Sequence, residues 1–157
     1  MKNLIAALLI ISVLCTCMIP VFATEKNVLP EFIQEIPKGT VTDVEYHKDG
    51  SVTVTTLEIV DQTRATKTGK KTKTAYNSNG TIAFSVTNTS TFSYTGSSAV
   101  CTAISASKSI SDSSWSVATS NMRSDNTGIV RYTGTRNNGS TNTGIVSVTC
   151  SPSGVIS

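Results

Sequence analysis

Histidine is almost missing from this chain, and its scarcity excludes more chemistry than any other feature. His47 is the single histidine. It stands beside Lys48 and Asp49-Gly50, with no serine or cysteine nucleophile in a motif around it, so it reads as a surface histidine at a turn. Serine and cysteine hydrolase triads therefore have almost no material. Acids are sparse as well: beyond residue 60 only Asp61, Asp112 and Asp125 occur. Nothing in their spacing pairs two of them for glycoside hydrolysis. Asp125-Asn126-Thr127-Gly128 resembles a fragment of a calcium loop, but the alternating ligands and terminal glutamate are missing, so it reads as a turn. No glycine-rich phosphate loop occurs, and the cysteines lack enough neighbouring ligands for a metal site. No catalytic residue, metal or cofactor is expected.

Long apolar runs are confined to the start. Met1-Lys2-Asn3 is a short basic opening, Leu4 to Leu14 is apolar apart from Ser12, and Pro20 breaks the run. Val21-Phe22-Ala23 then supplies a signal peptidase site. Residues 1–23 are expected to be a secretory signal peptide cleaved after Ala23, its core too short to span a bilayer. Leu14-Cys15-Thr16-Cys17 raises a lipoprotein alternative, but a lipidated Cys17 wants Gly, Ala or Ser before it, and Thr16 fits poorly. No integral membrane association is expected once the signal is gone.

The 134 residues that remain after Ala23 suit one modest core. Their charge is divided. Residues 24–60 carry seven acids and three lysines, whereas residues 61–157 carry nine bases and three acids. Two outcomes stay open: the acidic segment lies against the basic remainder, or it is a pro-segment that is removed. The weak overall charge argues against nucleic acid as a partner. Leu29, Phe32, Ile33 and Ile36 have helical spacing, so residues 24–38 form either a short helix after Pro30 or a mobile lead-in. Val41–Lys48 and Ser51–Val60 are β-branched runs around Asp49-Gly50, which predicts a hairpin with a two-residue type I′ turn.

From residue 61 onward, 38 of 97 residues are Ser or Thr, a composition that alone would fit a disordered stalk. Period-two apolar spacing argues for strands instead. Ile82, Phe84, Val86, Phe92 and Tyr94 share one parity; so do Trp115 and Val117, and Val146, Val148 and Cys150. Asn77-Ser-Asn-Gly, Thr95-Gly-Ser-Ser, Asp125-Asn-Thr-Gly and Arg136-Asn-Asn-Gly separate the runs as turns. The fold class is all-β: an antiparallel β-sandwich, immunoglobulin-like or a related Greek key, over residues 61–157.

Cys101 and Cys150 are the cysteines left after signal removal, and in an exported chain they are expected to pair as one disulfide. Such a bridge would stabilise the fold by about 4 kcal/mol through loop closure. Trp115 lies between them in sequence, the order found in immunoglobulin domains, where a buried Trp packs on the inter-sheet disulfide. It is expected in the core rather than at a ligand.

Lys67, Lys70, Lys71 and Lys73 crowd into one stretch, Lys-Thr-Gly-Lys-Lys-Thr-Lys. In a strand, Lys67, Lys71 and Lys73 would point one way and Lys70 the other. Two readings remain: an exposed edge strand on which lysines discourage sheet-to-sheet aggregation, or a strip for an anionic polymer. The aromatic residues that single-strand nucleic-acid binders interleave are missing.

Lys-Thr-Ala-Tyr-Asn-Ser-Asn-Gly, Thr-Phe-Ser-Tyr-Thr-Gly-Ser-Ser-Ala-Val-Cys, Ser-Ser-Trp-Ser-Val and Val-Ser-Val-Thr-Cys-Ser-Pro-Ser-Gly follow one another between residue 73 and the end. Together they resemble a group of small exported proteins of Gram-positive, clostridia-like gut bacteria. The resemblance implies an exported compartment and an all-β fold, and carries no activity or site. Three functions compete. One is a non-enzymatic surface module holding a cell-wall polymer, glycan or surface protein. The second is a secreted effector masked by its acidic segment, and the third a carboxylate enzyme using Asp61, Asp112 or Asp125. Intact mass spectrometry of the native protein is expected to give a species beginning at Thr24. A species that also lacks residues 24–60 would favour the masked effector instead.

Overall fold

A computed structural model describes residues 29–31, 33, 35, 38–63 and 65–157. The expected signal peptide with Cys15 and Cys17, and most of the expected helix after Pro30, lie outside the described residues. Among the described residues, eight antiparallel strands form two sheets. Strands β1 (Thr40–Tyr46), β2 (Val52–Gln62), β3 (Thr66–Tyr76), β4 (Ile82–Tyr94) and β5 (Ala99–Ile110) make a five-stranded sheet. Strands β6 (Trp115–Ser124), β7 (Thr127–Arg136) and β8 (Thr141–Thr149) make a three-stranded one. Every hydrogen-bonded neighbour is also a neighbour in sequence. That order differs from the expected immunoglobulin or Greek-key arrangement, which requires a strand that returns beside a non-sequential partner.

The strands form because β-branched and aromatic residues alternate with Ser and Thr, which tolerate the wet side. The inner face of β4 reads Phe84, Val86, Asn88, Ser90, Phe92, all buried. Phe84 and Val86 join Val117, Val130, Tyr132 and Val146 from the opposite sheet in one apolar cluster. Phe92 joins Val148, Ile156 and both cysteines in a second. Ile82 breaks the expected parity. Tyr76 pairs with Ile82 while Ala75 pairs with Phe84, so Ala83 is a bulge residue. Ile82 thereby turns to the outer face, where it packs with Val52, Val54 and Tyr76 beneath Leu29 and Ile33.

Between the two apolar clusters lies a polar pin. Asn88, fully buried, donates from Nδ2 to the carbonyls of Gly128 and Val146, each at 2.8 Å, and accepts from Ser90 Oγ at 2.7 Å. One amide thus ties β4 to β7 and β8. Gly128 is required for the approach, since a Cβ there would sit 1.9 Å from Ser90 Oγ.

Lys67, Lys71 and Lys73 do face one way and Lys70 the other, but β3 is the third of five strands, so the edge-strand expectation is corrected. The inward three lie on the side where a Cβ on Gly69 would meet Val148 and Ile156. Asp49-Gly50 is also corrected. His47 and Ser51 close the turn, with His47 N–H donating to Ser51 O at 2.9 Å, and only Gly50 has positive φ (79°). The loop has three residues, because the Asp49 carboxylate caps it by accepting from Ser51 N–H at 3.0 Å and Oγ at 2.6 Å.

The expected disulfide is not formed here: Cys101 and Cys150 are free thiols. Burial pushes both thiols up from their ordinary value, which disfavours the thiolate that would attack an oxidant. Both sit against one turn, Cys101 N–H donating to Asp125 O at 2.7 Å and Cys150 N–H to Asn126 O at 3.0 Å. Trp115 does not pack on them, because it belongs to the other cluster.

Asn88→Ala is expected to lower unfolding stability by about 2–4 kcal/mol, since it removes buried bonds to two carbonyls and orphans Ser90. Urea denaturation measures it. A loss under about 0.5 kcal/mol, the scale of an ordinary surface substitution, would remove the pin from the account of the fold.

Candidate functional site

A meander sends alternate connections to the same end. The β1–β2, β3–β4, β5–β6 and β7–β8 connections therefore converge, and between them opens a cleft of about 1180 Å³. Three of these connections are the same device. In 47–51, 77–81 and 136–140 the first residue's N–H donates to the fifth residue's carbonyl, and glycine's N–H donates to the first residue's carbonyl. An Asp or Asn before the glycine accepts from the backbone N–H of the Ser or Thr after it: Asp49 from Ser51, Asn79 from Thr81, Asn138 from Ser140. These loops are rigid because their own side chains satisfy their backbones.

The fourth connection carries the charged centre. Asp112 accepts from Ser114 N–H at 2.9 Å and from Asn77 Nδ2 at 3.2 Å, and lies 3.8 Å from Arg136. The Ser114 hydroxyl first and its N–H next, with smaller contributions from Asn77 and Arg136, hold its carboxyl below the ordinary value. Asp49 is lowered in the same way by Ser51. Both acids of the cleft are thus held charged, the opposite of what a general acid needs at neutral pH. Tyr76 and Tyr132 are each pushed up to about 12, chiefly by burial, so both remain protonated donors. Tyr76 donates to Glu35 O at 2.8 Å, and Tyr132 to Asn142 Oδ1 at 3.2 Å.

Trp115 forms part of the cleft wall. Its ring packs against Phe84, ring centres 5.2 Å apart at 54°, and the Arg136 guanidinium lies 5.9 Å from its centroid. Arg136 Nε also donates to Ser114 Oγ at 3.2 Å. Among the described residues, the buried side-chain polar atoms without a hydrogen-bond partner are Thr55 Oγ1 and Trp115 Nε1. An orphaned buried donor costs about 1–3 kcal/mol, so its retention asks for a reason.

The residues singled out in the sequence are mostly elsewhere. Lys67 donates to Gly154 O at 2.6 Å, and Lys73, mostly buried, pairs with Glu45 at 2.6 Å. Lys71 is held below its ordinary value by burial, with Lys73 adding repulsion. Lys70 lies on the outer face opposite Glu58. The four therefore do not form one strip. Asp61 ends β2 and Asp125 sits in the β6–β7 turn, both away from the cleft, while Asp112 is inside it. His47 reaches the cleft, its Nε2 hydrogen-bonded to Thr53 Oγ1 at 2.9 Å. Among the described residues no group of three His, Cys, Asp or Glu side chains is placed to hold a metal ion. The sequence did contain a signal for the cleft: His-Lys-Asp-Gly-Ser, Asn-Ser-Asn-Gly-Thr and Arg-Asn-Asn-Gly-Ser repeat one turn in alternate hairpins.

No protein family, curated protein or solved structure matches the chain. Because Asp112 has a depressed folded value, its bonds stabilise the turn above the ordinary carboxylate range, about pH 4, and are lost as pH falls through the folded value. The protection factor of the Ser114 amide, its exchange rate taken relative to the intrinsic rate at the same pH, is expected to fall on acidification in the natural protein. NMR of Asp112→Asn should show no such acid-dependent step; an identical profile in both would show that Asp112 does not hold the turn.

Proposed function

We propose that this chain is an exported, non-enzymatic β-sandwich module that binds a hydroxyl-rich polymer, a glycan of the bacterial surface, in the cleft at the turn end. The observation that carries the proposal is the composition of that cleft. Four connections present hydroxyl and amide groups, one indole and a balanced set of charges, Lys48 and Arg136 against Asp49 and Asp112. A neutral ligand that accepts and donates many weak hydrogen bonds fits such a lining better than a polyanion. Its volume exceeds the roughly 300–1,000 Å³ of a site for one small molecule, which suits an extended chain. Each hydrogen bond would contribute only about 0.5–1.5 kcal/mol net, so affinity would come from several residues together.

The signal-like start and the resemblance to exported Gram-positive proteins support the compartment. In that compartment a disulfide between Cys101 and Cys150 is part of the proposal, supported by their shared cluster. The masked-effector alternative is disfavoured: clipping at residue 60 would remove β1 and most of β2, which are integral strands of the larger sheet. The anionic strip loses support because Lys67 and Lys73 already have internal partners.

Thr143→Arg, an exposed cleft residue, is expected to reduce retention on purified Gram-positive wall glycan at least tenfold in co-sedimentation, with the melting temperature unchanged. Ser97→Arg, in the loop at the opposite end, should leave retention intact. Equal loss in both, or in neither, would refute the cleft as the binding site.

A further inference from the structure

We infer that Arg136 is a displaceable cover over Trp115, and that the indole face and N–H beneath it form the subsite on which a sugar ring of the ligand stacks. The inference rests on the glycan-binding proposal and adds the contact that would anchor the ligand.

Trp115 is the single tryptophan of the chain. Its ring packs against Phe84 and the core, so only the side toward the cleft can open without unpacking the fold. That side is occupied by a group that can leave. Arg136 is held by a long contact to Asp112, 3.8 Å, and by one hydrogen bond to a serine hydroxyl, and its side chain is 41% exposed. Exposed ion pairs of this kind are weak because water competes for both partners. Arg136 also meets the ring by a cation–π contact, which shows that this face accepts a positively polarised partner. The C–H face of a sugar ring is such a partner, and the electron-rich indole face would take it in the same place.

The indole N–H gives the second, independent observation. It is buried and has no hydrogen-bond partner. Tryptophan N–H groups in interiors ordinarily find an acceptor. A ligand hydroxyl at the ring edge, beside the stacked sugar and in the plane of the indole, would supply it. Ser114 Oγ, released from Arg136, would be free to accept from the same ligand, and Asp112, relieved of its cation but still held by Ser114 and Asn77, would remain a charged acceptor for sugar hydroxyls.

The probe is the soluble glycan strand released from a Gram-positive cell wall, titrated into the full chain. Binding is followed by calorimetry and, in parallel, by the emission of the lone tryptophan and its quenching by acrylamide. We expect bound glycan to reduce the quenching constant at least twofold, and Trp115→Phe to weaken binding at least fivefold. Arg136→Ala should raise quenching in the free protein at least twofold; unchanged quenching in that variant would show that Arg136 does not cover the indole. If Trp115→Phe fails to fold, the natural protein's emission and the Arg136→Ala variant still decide. Calorimetric binding with unchanged emission and quenching would overturn the subsite and leave the binding-module proposal standing. Calorimetric silence with this glycan would overturn both.

Discussion

One amide holds the two layers together at the point where apolar packing is interrupted. The inner face of β4 is apolar at both ends and polar in the middle, and Asn88 fills that middle by reaching two carbonyls of the opposite sheet. Hydrophobic contact alone is tolerant of sliding, whereas a buried amide with two fixed acceptors is satisfied at one registration of the sheets. Gly128 leaves room for Ser90, and Ser90 occupies the remaining acceptor of Asn88. The placement of β7 and β8 over β3 and β4, and with it the relative position of the turns at the cleft, follows from this registration.

The cleft is a product of connectivity as much as of side chains. Because every strand but β5 pairs with its successor, and β5 crosses to the second sheet at the same end, four connections fall at one end, and three of them repeat one self-capped turn. Rigid loops on a rigid sheet hold polar groups in place before a ligand arrives, which limits the ordering cost on binding. The opposite end is built differently. There the chain beyond β8 folds back, with Cys150 bridging to Ile156, and Lys67 grips the Gly154 carbonyl.

Local information was legible in the sequence, and long-range placement was not. Alternation put Phe84, Val86, Phe92, Trp115, Val117, Val146 and Val148 on inward faces, and the structure places them there or at the edge of the core. Ile82 was misassigned because a bulge at Ala83 changes parity, and one extra residue leaves no compositional mark. The lysines of β3 looked like an edge because no face was apolar. Their partners, Glu45 and Gly154, lie far away in sequence, and pairing with them is what allows lysines inside a sheet. Asp49-Gly50 carries a two-residue turn signature, and the Ser51 that shifts it to three residues acts through its own hydrogen bonds to Asp49. The order Cys101, Trp115, Cys150 suggested a shared core, but the meander puts the tryptophan and the thiols in different clusters. Asn77 and Arg136 each open a copy of the repeated turn, which the sequence shows, but Ser114 carries no motif, and only the convergence of alternate turns brings the three together.

The succession of two meanders has a consequence for how the chain acquires its shape. Hairpins between successive strands close short loops, so each can form as soon as its second strand is available, and no strand waits for a partner still to come. The costly step is the last one, when the sheets close on each other. The two bonds of Asn88 span 40 and 58 residues, far beyond any hairpin. For a chain that emerges end first during synthesis, such an order of assembly leaves little unpaired edge exposed at any moment, and it concentrates the kinetic barrier in the docking of two preformed layers.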